Sequence, residues 1–209
     1  MREPDAPLLA VLERSRALGF LGPGPVDAHV ARARAFHAAV AEPTGRVVDL
    51  GSGGGVPGLV LARWWPATSW VLLDAAERRT GFLVEAVAEL GLEHRVRVHR
   101  ARAEEAGRDP AWRGGADLVV ARSFGPPAVT AECAAPLLVV GGRLLVAEPP
   151  SPHPDRWPAA GLAELGLRRV DGDDGARSVA VLVLDAPCPV RYPRRTGIPS
   201  KRPLWGPAA

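Results

Sequence analysis

Apolar residues change rhythm once along this chain. Over residues 5–44 they recur at helical spacing, with Leu8, Leu9, Leu12 and Leu18 on one face, and a Gly-Pro-Gly-Pro break at 22–25 precedes a second, Ala-rich helix. From Arg46 onward short apolar runs alternate with helical stretches: VVDL at 47–50, WVLLD at 70–74, VRVH at 96–99, DLVVA at 117–121, RLLVA at 143–147 and SVAVLVLD at 178–185. Such runs, separated by helices, predict a parallel sheet covered on both faces. Residues 76–91 place Phe82, Leu83, Val87 and Leu90 on one side with Gly91 as the stop, and 127–139 predict a further helix ended by Gly141-Gly142. LRRV at 167–170 is separated from SVAVLVLD only by the turn-rich DGDDGA, which predicts an antiparallel hairpin. The expected layout is a helical cap or lid over 1–44, an α/β domain over 45–187 and a tail over 188–209.

Composition narrows the classes. With 209 residues and 47% hydrophobic content the chain supports one sizeable core. No run approaches the roughly 18 to 20 apolar residues that cross a bilayer, and the start lacks a signal-peptide layout. Cys133 and Cys188 are the only cysteines, which gives neither a disulfide framework nor a metal quartet, and no histidines stand at metal-ligand spacing. Both thiols read as buried or incidental, His94, His99 and His153 as surface residues, and a reduced, cytoplasmic location follows. The net charge of +3 is weak evidence for a polyanionic partner, because the basic side is almost all arginine. Clustering matters more: from Arg191 to Arg202, RYPRRTGIPSKR carries Arg191, Arg194, Arg195, Lys201 and Arg202 without one acid. Those residues suit either a solvated tail or an RNA contact, and Trp205 beside them is a candidate for base stacking.

The strongest local signal is VVDLGSGGGVPGL at 47–59, a strand that delivers Asp49 into a glycine turn opening onto a helix. Gly51 and Gly53 allow positive φ and close ligand approach, and a helix start adds N–H donors. A dinucleotide site would want a third glycine where Val56 stands. That difference, with the carboxylate of Asp49 available to an ammonium group, favours S-adenosylmethionine over a pyrophosphate. Asp74, at the tip of the second strand, stands where an acid meets ribose hydroxyls in nucleoside sites; a helix N-cap is its alternative. Ala103-Glu104 follow the third strand and Ala121-Arg122-Ser123 the fourth, on the same carboxyl edge.

These residues resemble a known family. DLGSGGGVPGLVLA, LLDAAERRTGFLVEAVAELGL, RARAEE, DLVVARSFGPP and the tail RYPRRTGIPSKRPL are similar to the ribosomal RNA small subunit methyltransferase G family, also called glucose-inhibited division protein B. The likeness covers roughly residues 46–125 and returns at 191–204. It implies a class I, Rossmann-like S-adenosylmethionine-dependent methyltransferase fold, with a mostly parallel seven-stranded sheet ending in an antiparallel hairpin. It implies methylation of guanine N7 in 16S ribosomal RNA, with that RNA or the small ribosomal subunit as partner and no membrane or metal. Asp49, Gly51, Ser52, Gly53 and Val56 would then line the cofactor, Asp74 would hold the ribose and Ala103 and Glu104 would face the adenine. Arg122 would close the pocket or meet RNA. Arg78, beside Arg79, would bind RNA together with Arg194, Arg195, Lys201 and Arg202.

Two departures stand out. Residues 1–44 lack the family's Trp-Asn, Asn-Leu-Thr and His-Asp-Ser patterns beyond Asp27-Ala28-His29, and Glu148 follows the fifth strand where the family often carries Lys-Gly. A diverged enzyme acting on a small molecule, and a non-catalytic RNA-binding paralogue, therefore stand as alternatives. Guanine N7 has an exposed lone pair, so no catalytic base is expected, and catalysis would rest on positioning and electrostatics.

Overall fold

The computed structural model describes residues 3–170 and 178–206. Helices α1 (Ala6–Ala17) and α2 (Val26–Ala39) come first. There follow β1 (Arg46–Leu50), α3 (Gly58–Trp64), β2 (Ser69–Asp74), α4 (Glu77–Glu89), β3 (Val96–Arg100), the one-turn α5 (Ala103–Ala106) and β4 (Ala116–Ala121). Then come α6 (Pro127–Ala134), β5 (Leu138–Ala147), α7 (Ala159–Ala163), β6 (Leu167–Arg169), β7 (Val179–Leu184) and α8 (Ile198–Lys201). The seven strands among the described residues form one sheet in the order β3-β2-β1-β4-β5-β7-β6. The first five run parallel and β7 is antiparallel to both β5 and β6, as the sequence pattern predicts; the DGDDGA turn lies outside the described residues.

The continuous apolar runs follow from burial on both sides. Along each strand successive side chains point to opposite faces. Val47, Trp70, Leu72, Leu118 and Val120 enter one core, and Val48, Leu50, Val71, Leu73, Val119 and Ala121 enter the other. The first core is closed by α1 to α4, with Leu8, Val11, Leu12 and Phe36 fully buried. Asp5 caps α1 by accepting from the Leu8 N–H at 3.1 Å. The i, i+3, i+4 face runs through Leu8, Val11, Leu12 and Ser15, so Leu18, expected on it, falls just past the last helical turn and is exposed.

The helix expected over 127–139 is shorter. Pro136 has no N–H to continue the ladder, so α6 tightens into a 3-10 turn over Ala135–Leu137, and Leu138 already starts β5. The Gly141-Gly142 pair therefore lies inside that strand. A Cβ on Gly142 would come within 3.2 Å of the carbonyl oxygens of Val139, Ala116 and Asp117, where the β4–β5 register shifts.

The tail is built into the second face. Glu132, fully buried in α6, accepts from Arg194 three times: from its backbone N–H at 2.8 Å, Nε at 2.8 Å and Nη2 at 2.6 Å. A proline-rich segment cannot satisfy its own carbonyls by secondary structure, so arginines do it from the domain side. Arg113 donates to the carbonyls of Cys188, Pro189 and Tyr192, and Arg108 to that of Pro193. Trp205 lies over Gly161, whose Cβ would sit 2.4 Å from its ring, and its Nε1 donates to the Arg156 carbonyl, so this indole is half-buried against the domain.

Removing one member of a buried pair strands the other. Arg194→Ala should lower unfolding stability by about 3 kcal/mol in urea titrations, while Lys201→Ala, at an exposed position, should change it by less than about 0.5 kcal/mol.

Candidate cofactor and acceptor site

β1 and β4 are adjacent although three strands apart in sequence order, so the crossovers leave the sheet in opposite directions between them, and a crevice opens at their carboxyl ends. The turn from β1 into α3 fills that position. Gly51, Gly53 and Gly55 take φ of +71°, +55° and +92°. The N–H groups of Gly51 and Ser52 both donate to the Leu73 carbonyl, at 2.8 and 3.0 Å, which fastens the turn to β2. Within residues 51–57 only Gly51 and Gly53 retain partial exposure. A Cβ on Gly51 would lie 2.6 Å from Phe124 Cδ2, so the glycine also allows an aromatic ring from beyond β4 to rest on the turn.

Two carboxylates hold this turn. Asp49 is 1% exposed, and its Oδ2 accepts from the Gly58 N–H at 3.0 Å; a Cβ on Gly58 would fall 2.3 Å from that oxygen. Burial pushes Asp49 up to about 7, against the pull of the Gly58 N–H and the Arg122 charge. Asp74 is 6% exposed and accepts from Gly53 N–H at 2.9 Å and Ala76 N–H at 2.8 Å, with Arg79 Nη1 3.7 Å from Oδ2. The N-cap alternative for Asp74 thus describes part of its work, since Ala76 precedes α4, but the Gly53 bond joins it to the glycine turn.

The other sequence-selected residues divide. Ser52 is buried, its hydroxyl donating to the Asp49 carbonyl at 2.9 Å. Val56 packs into the core beneath the turn, so its side chain supports the site from behind. Ala103 and Glu104 lie at the start of α5, but Glu104 Oε1 accepts from the tail N–H of Gly197 at 2.9 Å. Arg122 is partly buried at the β4 tip, its Nη1 3.1 Å from His29 Nδ1. Arg78 is exposed, with its guanidinium 5.8 Å from the Phe20 ring. Arg195, Lys201 and Arg202 are exposed, whereas Arg194, expected on the RNA face, is committed to Glu132. Glu148 is no free acid at the acceptor side: Oε1 accepts from Trp157 Nε1 at 2.7 Å, and Arg156 Nε lies 3.0 Å from Oε2. Burial pushes Cys188 up to about 11 and Cys133 higher still, which keeps both thiols protonated and unreactive.

Sequence reasoning missed three contributors. Ser15 donates its hydroxyl to the Gly54 carbonyl at 2.9 Å, so α1 reaches the turn directly. Phe124 and His29 are the others; Asp27-Ala28-His29 and the aromatic after Arg122-Ser123 were the only local signals. A groove of about 590 Å³ at the amino ends of β2 and β3, lined by Asp5, Arg63, Trp64 and Arg95, is structural in its charges. Arg63 pairs with Asp5, and Arg95 donates to the carbonyls of Ala62, Trp65 and Thr68.

A doubly wound sheet of this order, with a glycine turn over a buried acid and a second acid at the β2 tip, has the fold of the class I methyltransferases. The chain belongs to a particular family of these enzymes: the model for rRNA small subunit methyltransferase G matches residues 27–152. Ribosomal RNA small subunit methyltransferase G of Prochlorococcus marinus (strain MIT 9313) is 39% identical over 167 residues, covering 76% of this chain and 68% of that protein. The protein of the same name from Moorella thermoacetica is 34% identical over 170 residues, covering 78% and 70%. Among solved structures, a T. thermophilus 16S rRNA N2 G1207 methyltransferase in complex with AdoMet and guanosine shares the fold, with TM-score 0.52 and 22% identity over 76% of this chain and 40% of that one. A mitomycin 7-O-methyltransferase does so with TM-score 0.57 and 18% identity, over 74% and 53%.

Asp49 gives a pH test. Its folded value of about 7 lies above the ordinary 3.8, so the folded protein keeps a proton that the unfolded chain has released, and stability falls as pH rises from about 4 to 7. Asp49→Asn should remove that component. Its melting temperature should exceed that of the wild type at pH 8 and match it at pH 4, in scanning fluorimetry across that range.

Proposed function

We propose that this chain transfers the methyl group of S-adenosylmethionine to N7 of a guanine in 16S ribosomal RNA, presented as RNA or as the small subunit, in the cytoplasm. The observation that carries the reading is that the family match at 27–152 contains the whole carboxyl edge, from the glycine turn through Asp74 to Arg122. The residues present fit the cofactor. Gly53 offers bare backbone, Gly51 stays partly exposed beside the Phe124 ring, and Asp74 retains acceptor capacity next to them for ribose hydroxyls. Ala103 forms the apolar side at the α5 start, and the Arg122 guanidinium at the β4 tip offers a cation to the carboxylate of a zwitterionic amino-acid end. When bound, S-adenosylmethionine supplies an electrophilic methyl group on sulfur.

The chain's own work is positional. Phe124, resting on Gly51 at the tip of β4, offers a flat apolar face at the mouth of the crevice, where a purine can be held and water kept out. N7 attacks through a lone pair that carries no proton, so no side chain has to remove one; alignment at about 3 Å and a dry site supply the rate. Exposed Arg78, Arg195, Lys201 and Arg202 are among the cations available for phosphates. Glu148, the residue that favoured a non-catalytic paralogue, is explained by its pairing with Arg156 and Trp157. No helix among the described residues is long and apolar enough to cross a membrane.

Small subunits lacking the mark, incubated with labelled cofactor, should yield 7-methylguanosine on nucleoside analysis; absence of transfer with intact cofactor binding would move the acceptor to another molecule. Asp74→Ala should weaken cofactor binding tenfold or more, about 1.4 kcal/mol, in calorimetry. Replacing Arg195, Lys201 and Arg202 together with alanine should flatten the dependence of RNA affinity on salt, by roughly one unit of log–log slope for each phosphate no longer neutralised.

A further inference from the structure

Of the five histidines only His29 is fully buried. It projects from α2 and is held at both ring nitrogens: Nδ1 lies 3.1 Å from Arg122 Nη1, and Nε2 lies 3.1 Å from the Gly22 carbonyl oxygen. A guanidinium can only donate and a carbonyl can only accept, so the two neighbours together place the ring proton on Nε2 and make Nδ1 the acceptor. The imidazole is thus neutral, in one tautomer, strung between the α1–α2 linker and the tip of β4. Arg122 in turn interacts electrostatically with Asp49 beneath the glycine turn.

We propose that His29 is a positioning residue of the cofactor pocket: through Nδ1 it holds the Arg122 guanidinium at the β4 tip, where its remaining N–H groups receive the carboxylate of the cofactor's methionine end. The inference rests on the methyltransferase reading above, and it gives the amino-terminal helices a part in the site. A long arginine side chain held in one geometry loses less freedom on binding than a free one, so the hydrogen bond from α2 translates into affinity. Burial, and then the Arg122 charge, hold His29 below the ordinary histidine range. The charged groups facing it are Arg122 from β4 and Arg32 from its own helix, with Asp49 of β1 acting on Arg122. Protonation would therefore remove the acceptor at Nδ1 and set a cation against two others.

Two amide substitutions separate the two ring nitrogens. Asparagine puts a polar atom close to the place of Nδ1, and glutamine close to that of Nε2. Calorimetric titration with S-adenosylmethionine at pH 7.5 should find His29→Asn within about threefold of the wild type and His29→Gln about tenfold weaker, both folded by circular dichroism with similar melting temperatures. In an Arg122→Ala background the same His29→Gln change should cost less than about twofold, because the interaction it removes is already gone. Equal affinities for the two amide variants, or an undiminished effect of His29→Gln without Arg122, would each overturn the proposal. A wild-type protein that binds no S-adenosylmethionine at any pH would overturn the methyltransferase reading along with it.

Discussion

A turn rich in positive-φ glycines has no intrinsic reason to hold one shape, and here two buried carboxylates supply it. Asp49 takes the Gly58 N–H from inside the fold, Asp74 takes the Gly53 N–H from the next strand, and the Leu73 carbonyl takes two more donors. Glycine loses more backbone freedom on folding than other residues, so such a turn needs fixed partners on both sides. Once it is fixed, the rest of the carboxyl edge is registered against it. α3 starts where Asp49 ends the turn, α1 reaches it through Ser15 and Gly54, and Phe124 lies on Gly51. The raised value of Asp49 shows that the first of these clasps is made against a desolvation cost.

The arginines show how little a net charge of +3 says about surface function. Arg95 serves three carbonyls at the end of α3, Arg113 serves the tail, Arg194 neutralises the buried Glu132 and Arg156 meets Glu148. A guanidinium has five donors in a rigid plane, which suits it to joining irregular backbone to a folded domain. Tail and domain are therefore one packed unit across Arg194 and Glu104, while Arg195, Lys201 and Arg202 project from the same segment into solvent. A segment of uniform basic composition thus carries two unlike kinds of cation, sorted only by what faces them.

The same division runs through the whole comparison of sequence with structure. Local periodicity determined much: the six strand runs and the LRRV partner, the helix over 76–91, the glycine turn and the acids at two strand tips all depend on backbone rules that act within a few residues. Errors at that level were local too. Pro136 outweighed apolar spacing and ended a helix early, and Leu18 lay one position beyond its helix. What only the tertiary structure decided is which polar groups meet across distance. Glu132 finds Arg194 across 62 residues, and His29 finds Arg122 across 93. No periodicity encodes such pairs, because each forms only after the order of strands in the sheet has brought two distant chain segments to the same edge and excluded the water that would otherwise have served both.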